Sequence, residues 1–319
     1  MRRPPASLRP ALVRTVVPLL PALAATTLLL TACGTETGGA GAADPPSRTR
    51  VDDPGKDGVR ITSLTLPPTS PSPSPTPTDN YSVSADSLFR DSGVSARYEV
   101  TNKGSETLTY TVIFTFMSAD GGAMANQTVT VRAVGPGKTV RGTVRQGQVP
   151  PTTPRVTQAR VLEVTKVPTS EAPAESGTCP ASGIRVSADQ GDAAMGLRVV
   201  GLHLDNCGTR DYTVEGYPLL QLLDDARKPV TGVRILDGSS EITTGAGPDN
   251  PPRPVTLKPG ESATAGLVWR NTTQFGTPVN VPYVRVRTKT GAAPVTVTPN
   301  LDLGTTGKLG VRPWVKAER

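Results

Sequence analysis

The 319-residue chain holds one histidine, three cysteines and two tryptophans, and its aromatic content is 4%. A lone imidazole, His203, excludes a histidine-rich metal site and any mechanism that needs two imidazoles. A Ser-His-Asp triad would have to be built around His203, and no Gly-x-Ser-x-Gly elbow supplies the serine. Phosphate-loop, dinucleotide-fingerprint, Cys-x-x-Cys and zinc spacings are all missing. Asp52-Asp53-Pro54-Gly55-Lys56-Asp57-Gly58 has neither the spacing nor the closing glutamate of a calcium loop. No catalytic residue, metal site or cofactor is therefore expected. The chain also lacks a helical apolar period of useful length, so strands must carry the fold.

Charge of one sign is scarce once the N-terminus is set aside. The formal charge is +7, but Arg2, Arg3, Arg9 and Arg14 supply four of those charges. The remainder holds 30 basic against 27 acidic residues and no Lys/Arg block, which gives nucleic-acid binding little support, and no nucleic-acid partner is expected. Carboxylates are plentiful but scattered, and Asp224-Asp225 before Ala226-Arg227-Lys228 reads as a hairpin turn.

What is present begins with those arginines. They precede an apolar run from Thr15 to Leu30, then Thr31-Ala32-Cys33-Gly34. A basic start, a short apolar stretch and small residues make a secretory signal. The run is about sixteen residues and contains Pro18 and Pro21, too short and too broken to span a bilayer, which takes roughly twenty. The pattern resembles the lipobox of bacterial lipoproteins. The resemblance implies cleavage after residue 32, a lipid on Cys33 and a place on the extracytoplasmic face of the cell membrane. An ordinary cleaved signal is the alternative.

With Cys33 lipidated, Cys179 and Cys207 remain, and an even number in an exported chain predicts a disulfide between them. Two free thiols are the alternative reading.

Residues 33–80 are expected to be a disordered Gly/Pro/Ser/Thr-rich tether. Its closing run, Pro67 to Thr78, cannot bury a core and reads as extended polyproline II, with a reach of about 35–40 Å. Residues 81–167 read as a first β-sandwich. Leu108, Tyr110, Val112, Phe114 and Phe116 alternate with residues expected to face solvent, Thr109, Thr111 and Thr115 among them. Residues 168–178 read as a second linker with nothing to pack, and 179–316 as a second β-sandwich. The two segments share a grammar. Asn102-Lys103-Gly104-Ser105 parallels Asn206-Cys207-Gly208-Thr209, and Gly135-Pro136-Gly137-Lys138 parallels Lys258-Pro259-Gly260-Glu261. The expected fold is all-β, with two tandem immunoglobulin-like sandwiches.

Cys179-Pro180, Leu204-Asp205-Asn206, Gly216-Tyr217-Pro218, Leu222-Leu223-Asp224, Val255 to Ala263 and Val295 to Pro299 occur in an order that resembles a domain of unknown function, numbered 4232, of exported actinobacterial proteins. In that pattern the second cysteine stands near Tyr212; here Cys207 is five residues earlier. The resemblance implies an exported or lipid-anchored β-sandwich and transfers no catalytic residue. The leading functional expectation is a non-enzymatic surface module, held to the membrane through Cys33, that binds a protein or cell-wall component. A carboxylate-dependent hydrolase and a structural spacer of an exported complex are the rivals.

Overall fold

The computed structural model describes residues 46–51, 53–68, 89–150, 152–244, 249 and 251–318. Cys33, the signal segment and most of the Pro/Ser/Thr run lie outside them. Among the described residues there is no helix, and the architecture is all-β. Two apolar cores are present, each closed between sheets.

The N-terminal sandwich consists of β1 (Ser47–Arg50), β2 (Val59–Leu66), β3 (Arg90–Asp91), β4 (Ser95–Thr101), β5 (Leu108–Ser118), β6 (Ala123–Val134), β7 (Thr139–Arg145), β8 (Gln148–Val149) and β9 (Val156–Pro168). One sheet runs β1-β2-β4-β7 and the other β6-β5-β9, with β3 paired to β8. The apolar alternation of β5 is buried as expected, Phe114 and Phe116 at 0% exposure. Its other face is not simply solvated: Thr109 and Thr115 are buried, and at the Thr109 end the chain after β9 folds over it, with Thr169 Oγ1 3.1 Å from Thr109 Oγ1. Tyr98 of β4 packs on Phe114 with ring centroids 4.9 Å apart. The same ring lies across Gly142, where a Cβ would stand 2.3 Å from the Tyr98 hydroxyl. Only glycine leaves room for it.

The tether expectation requires correction here. Residues 47–50 and 59–66 are strands, and Val59, Ile61 and Leu64 are core residues at 0%, 1% and 3% exposure. Val59-Arg60-Ile61 alternates only briefly before the bulge between Ile61 and Ser63 resets the register. That shift hides the period of two on which strand recognition depends.

The C-terminal sandwich comprises β10 (Ile184–Ala188), β11 (Asp192–Ala194), β12 (Leu197–Asn206), β13 (Tyr212–Val214), β14 (Leu219–Leu223), β15 (Arg234–Asp237), β16 (Val255–Leu257), β17 (Ser262–Arg270), β18 (Asn280–Val281), β19 (Tyr283–Arg287), β20 (Val295–Val297), β21 (Leu301–Asp302) and β22 (Lys308–Lys316). Its main sheet runs β10-β12-β17-β22-β15, facing β14-β19-β20 and the short pairs β13-β16 and β18-β21. Trp314 and Trp269 are both buried, and each indole N–H has its own acceptor, the Thr288 carbonyl and the Asp302 carboxylate.

The parallel grammar of the two segments is a repeated buried motif. Asn102 Nδ2 donates to the carbonyls of Glu106 and Val134, both at 2.7 Å, while its Oδ1 accepts from the Gly104 N–H. Asn206 repeats the set, donating at 2.8 Å to Arg210 and Leu257 and accepting from Gly208. Even the backbone pairing matches: Gly137 N–H donates to the Asn102 carbonyl and Gly260 N–H to that of Asn206. Each asparagine thus ties a strand end to the Gly-containing turn after it and to the Pro-Gly turn of a neighbouring strand.

On the outer face of the main sheet, register places Arg185, Asp205 and Ser262 in one row. Burial pushes the Asp205 carboxyl pKa up, but the Ser262 hydroxyl and the Arg185 guanidinium outweigh it, and the net shift is downward. A lowered folded-state pKa gives stability that is complete above the unfolded value, about 3.9, and is lost as pH falls through the lower folded value. Asp205→Asn is therefore expected to cost stability at pH 7 and progressively less below about pH 4, as read from denaturant midpoints across pH. An equal cost at pH 2 and pH 7 would refute the assignment.

Candidate functional site

The site is assembled where the two sandwiches meet. Strands β14, β19 and β20 pair so that Gln221, Arg285 and Thr296 form one cross-strand row. Val284 and Val286 point the other way, into the core. Into the outward row drops Glu171, from the segment expected to be a loose linker. Arg285 donates to both its carboxylate oxygens at 2.8 Å, and the Thr296 hydroxyl adds a third bond at 2.8 Å. The Thr296 N–H also donates to the Glu171 carbonyl at 2.7 Å, so the linker covers the β20 edge. A bidentate arginine–carboxylate pair fixes position and orientation together. The 168–178 expectation is corrected accordingly: the segment is seated on the C-terminal sandwich.

Beside that seat, Tyr283 packs with Val167, Leu223 and Ala172 in a small third cluster. Its hydroxyl accepts from the Lys166 N–H at 3.0 Å. Burial pushes the phenol pKa up, so Tyr283 stays protonated at neutral pH. The ring divides the seam into two clefts. One, of about 540 Å³, is flanked by the Asp57–Lys166 ion pair within the N-terminal sandwich and by the inter-sandwich pair Glu106–Arg227. The other, of about 580 Å³, is lined by Glu163, Asp192, Arg198, Asp225, Trp269, Tyr283, Asn300 and Asp302.

The larger cleft is the candidate site. Its deeper carboxylates are already occupied as acceptors. Asp302 takes the Trp269 indole N–H at 2.8 Å and the Asn271 amide at 3.0 Å, with Arg198 at 3.5 Å. Glu163 takes the Asn300 amide at 2.6 Å, bridging one sandwich to the other. Asp192 and Asp225 stand exposed at the rim, their carboxylates without a hydrogen bond or ion pair among the described residues. The Asp224-Asp225 turn is as expected from sequence, with Arg227 in the left-handed region at φ 59° and Lys228 N–H bonded to the Asp224 carboxylate. The arrangement offers carboxylate acceptors to a ligand rich in N–H or O–H donors.

The residues singled out by sequence are distributed elsewhere. Cys33 lies outside the described residues. Cys179 and Cys207 are joined, with an S–S distance of 2.04 Å and Cα atoms 5.7 Å apart. The bridge fastens the start of the C-terminal sandwich to the turn after β12, and the displaced position of Cys207 accommodates it. His203 is on the outer face of β12, its Nε2 3.3 Å from Asp189 Oδ2, away from the cleft. No group of three or more His, Cys, Asp or Glu residues suited to a metal ion occurs among the described residues. Glu171 and Asp302 escape sequence reading, and Asp225 reads there only as a turn residue, because their places at the seam depend on strand register and on how the sandwiches meet.

Comparison with known proteins adds one assignment. A search of curated proteins found no match to the chain. Residues 179–315 match the family model described as Domain of unknown function (DUF4232), a match that coincides with the C-terminal sandwich.

Proposed function

We propose that the protein is a non-enzymatic binding module, lipid-anchored through Cys33 at the extracytoplasmic face of the cell membrane, whose inter-sandwich cleft takes a protein or cell-wall component. The observation that carries this reading is the acidic cleft at the seam of two sandwiches fastened together by Glu171. Seams of this kind are favoured places for ligand sites. With Asp302 and Glu163 held by N–H donors, the carboxylates left to meet a ligand are Asp192 and Asp225 at the rim. Rim charges of one sign select a partner of the opposite sign and steer its approach.

Two measurements test the reading separately. Cys33→Ser removes the acyl acceptor, so the protein is expected in the medium or as uncleaved precursor; unchanged membrane retention and mass would remove the anchor. For the cleft, the full chain and its Asp192→Lys/Asp225→Lys variant are cross-linked to intact membranes. A partner recovered by the first and lost with the second supports the site. Equal recovery by both, or none by either, defeats it. A reproducible hydrolytic turnover abolished by Glu163→Gln would replace binding with the hydrolase reading.

A further inference from the structure

Away from the seam, the N-terminal sandwich contains a third cleft, of about 400 Å³. Its wall is mostly apolar, formed by Leu66, Pro67, Val149, Pro154 and Val156. Gln146 lies in this wall and is 4% exposed. Its backbone is held at both ends, the N–H by the Val94 carbonyl at 3.0 Å and the carbonyl by the Gln127 amide at 2.8 Å. The side chain has no such arrangement. Among the described residues, Gln146 Nε2 is the only buried side-chain nitrogen or oxygen without a hydrogen-bond partner. Native structures seldom leave a buried donor unpaired, and where one persists a missing acceptor is the first explanation to test.

Charge narrows the acceptor. At the mouth, Arg155 is exposed and has no ion-pair partner among the described residues. Asp91, the one carboxylate in the wall, already accepts from the Gly93 N–H at 3.0 Å. An apolar wall, one buried donor and two arginines in the lining, Arg90 and Arg155, fit an amphipathic carboxylate, and the volume falls inside the roughly 300–1,000 Å³ of small-molecule sites. We infer that this cleft is a binding site for a small acyl-chain carboxylate, whose chain covers the apolar wall and whose oxygen accepts from Gln146 Nε2 while Arg155 balances the charge. The site is independent of the cleft proposed above.

Decanoate, decanol and decylamine are the probes, titrated calorimetrically into the full chain. Decanoate is expected to bind, decanol to bind more weakly, and decylamine, whose ammonium only donates, not to bind. Gln146→Leu keeps the side chain's size and removes the donor. It is expected to weaken decanoate and decanol about tenfold or more. The same substitution removes a buried N–H donor that has no partner, so the ligand-free variant is expected to melt at or above the wild-type temperature. Arg155→Ala, at an exposed position, is expected to weaken decanoate and leave decanol unchanged. No decanoate binding to the wild type overturns the proposal, as does binding that Gln146→Leu leaves intact. A Gln146→Leu variant that melts lower without ligand makes Gln146 a structural residue and also overturns it.

Discussion

Asn206→Ala is expected to destabilise the C-terminal sandwich by about 3 kcal/mol, near the top of the range for a single substitution. The asparagine is 1% exposed, and alanine would strand two carbonyls and an N–H that it satisfies. Each buried polar group left unpaired costs about 1–3 kcal/mol. Aspartate, of the same shape, keeps the bond from Gly208 but has no N–H for Arg210 and Leu257, so Asn206→Asp is expected to be no milder. Asn102→Ala carries the same expectation for the N-terminal sandwich, where the asparagine is 0% exposed. Denaturant unfolding with unchanged slope checks both. A loss below about 1 kcal/mol would mean that water replaces these bonds without penalty.

Removing the disulfide ranks second. Cys179 and Cys207 are separated by 28 positions, and opening a loop of that size costs roughly 3–4 kcal/mol in the chain-entropy account. The bridge lies wholly within the C-terminal sandwich. Cys179→Ala/Cys207→Ala is therefore expected to lower the unfolding transition of that sandwich and to leave the N-terminal one near its original midpoint, as followed by calorimetry. Equal displacement of both transitions would show that the Glu171 seat and the Tyr283 cluster couple the sandwiches into one cooperative unit.

Much of the fold was legible because its strands obey simple rules. In β5 the period of two survives long enough to be read. The bend at Gly216-Tyr217-Pro218 separates β13 from β14 where the turn residues place it. The repeated Asn-x-Gly and Pro-Gly turns were visible as words, and the structure supplies their common meaning: a buried amide clasping a neighbouring turn. Other elements were hidden for physical reasons. The bulge in β2 scrambles its alternation. Strand β15 is exposed along most of its length and joins its sheet by a parallel pairing with β22, which leaves little apolar pattern to detect. The cleft at the seam is less legible still. Glu171 is one carboxylate in a Pro/Ser/Thr/Ala-rich segment, and nothing local distinguishes it from Glu175. Its role emerges only when Arg285 and Thr296 stand opposite each other on adjacent strands.

The inclusion of β1 and β2 in the N-terminal sandwich changes how far that sandwich can stand from a membrane. Leu66 at the end of β2 and Arg90 at the start of β3 both belong to one sandwich, so the flanks of the Pro/Ser/Thr-rich run are fixed to the same body. A polymer with both ends pinned to one object adds nothing to that object's separation from a third point. Under the proposed anchor, the only spacer between lipid and fold is the stretch from Gly34 to Pro46, about thirteen residues. Fully stretched, these reach no more than roughly 45 Å. Lengthening the Pro/Ser/Thr run would then leave that separation unchanged, whereas deleting part of 34–46 would draw the whole molecule towards the bilayer.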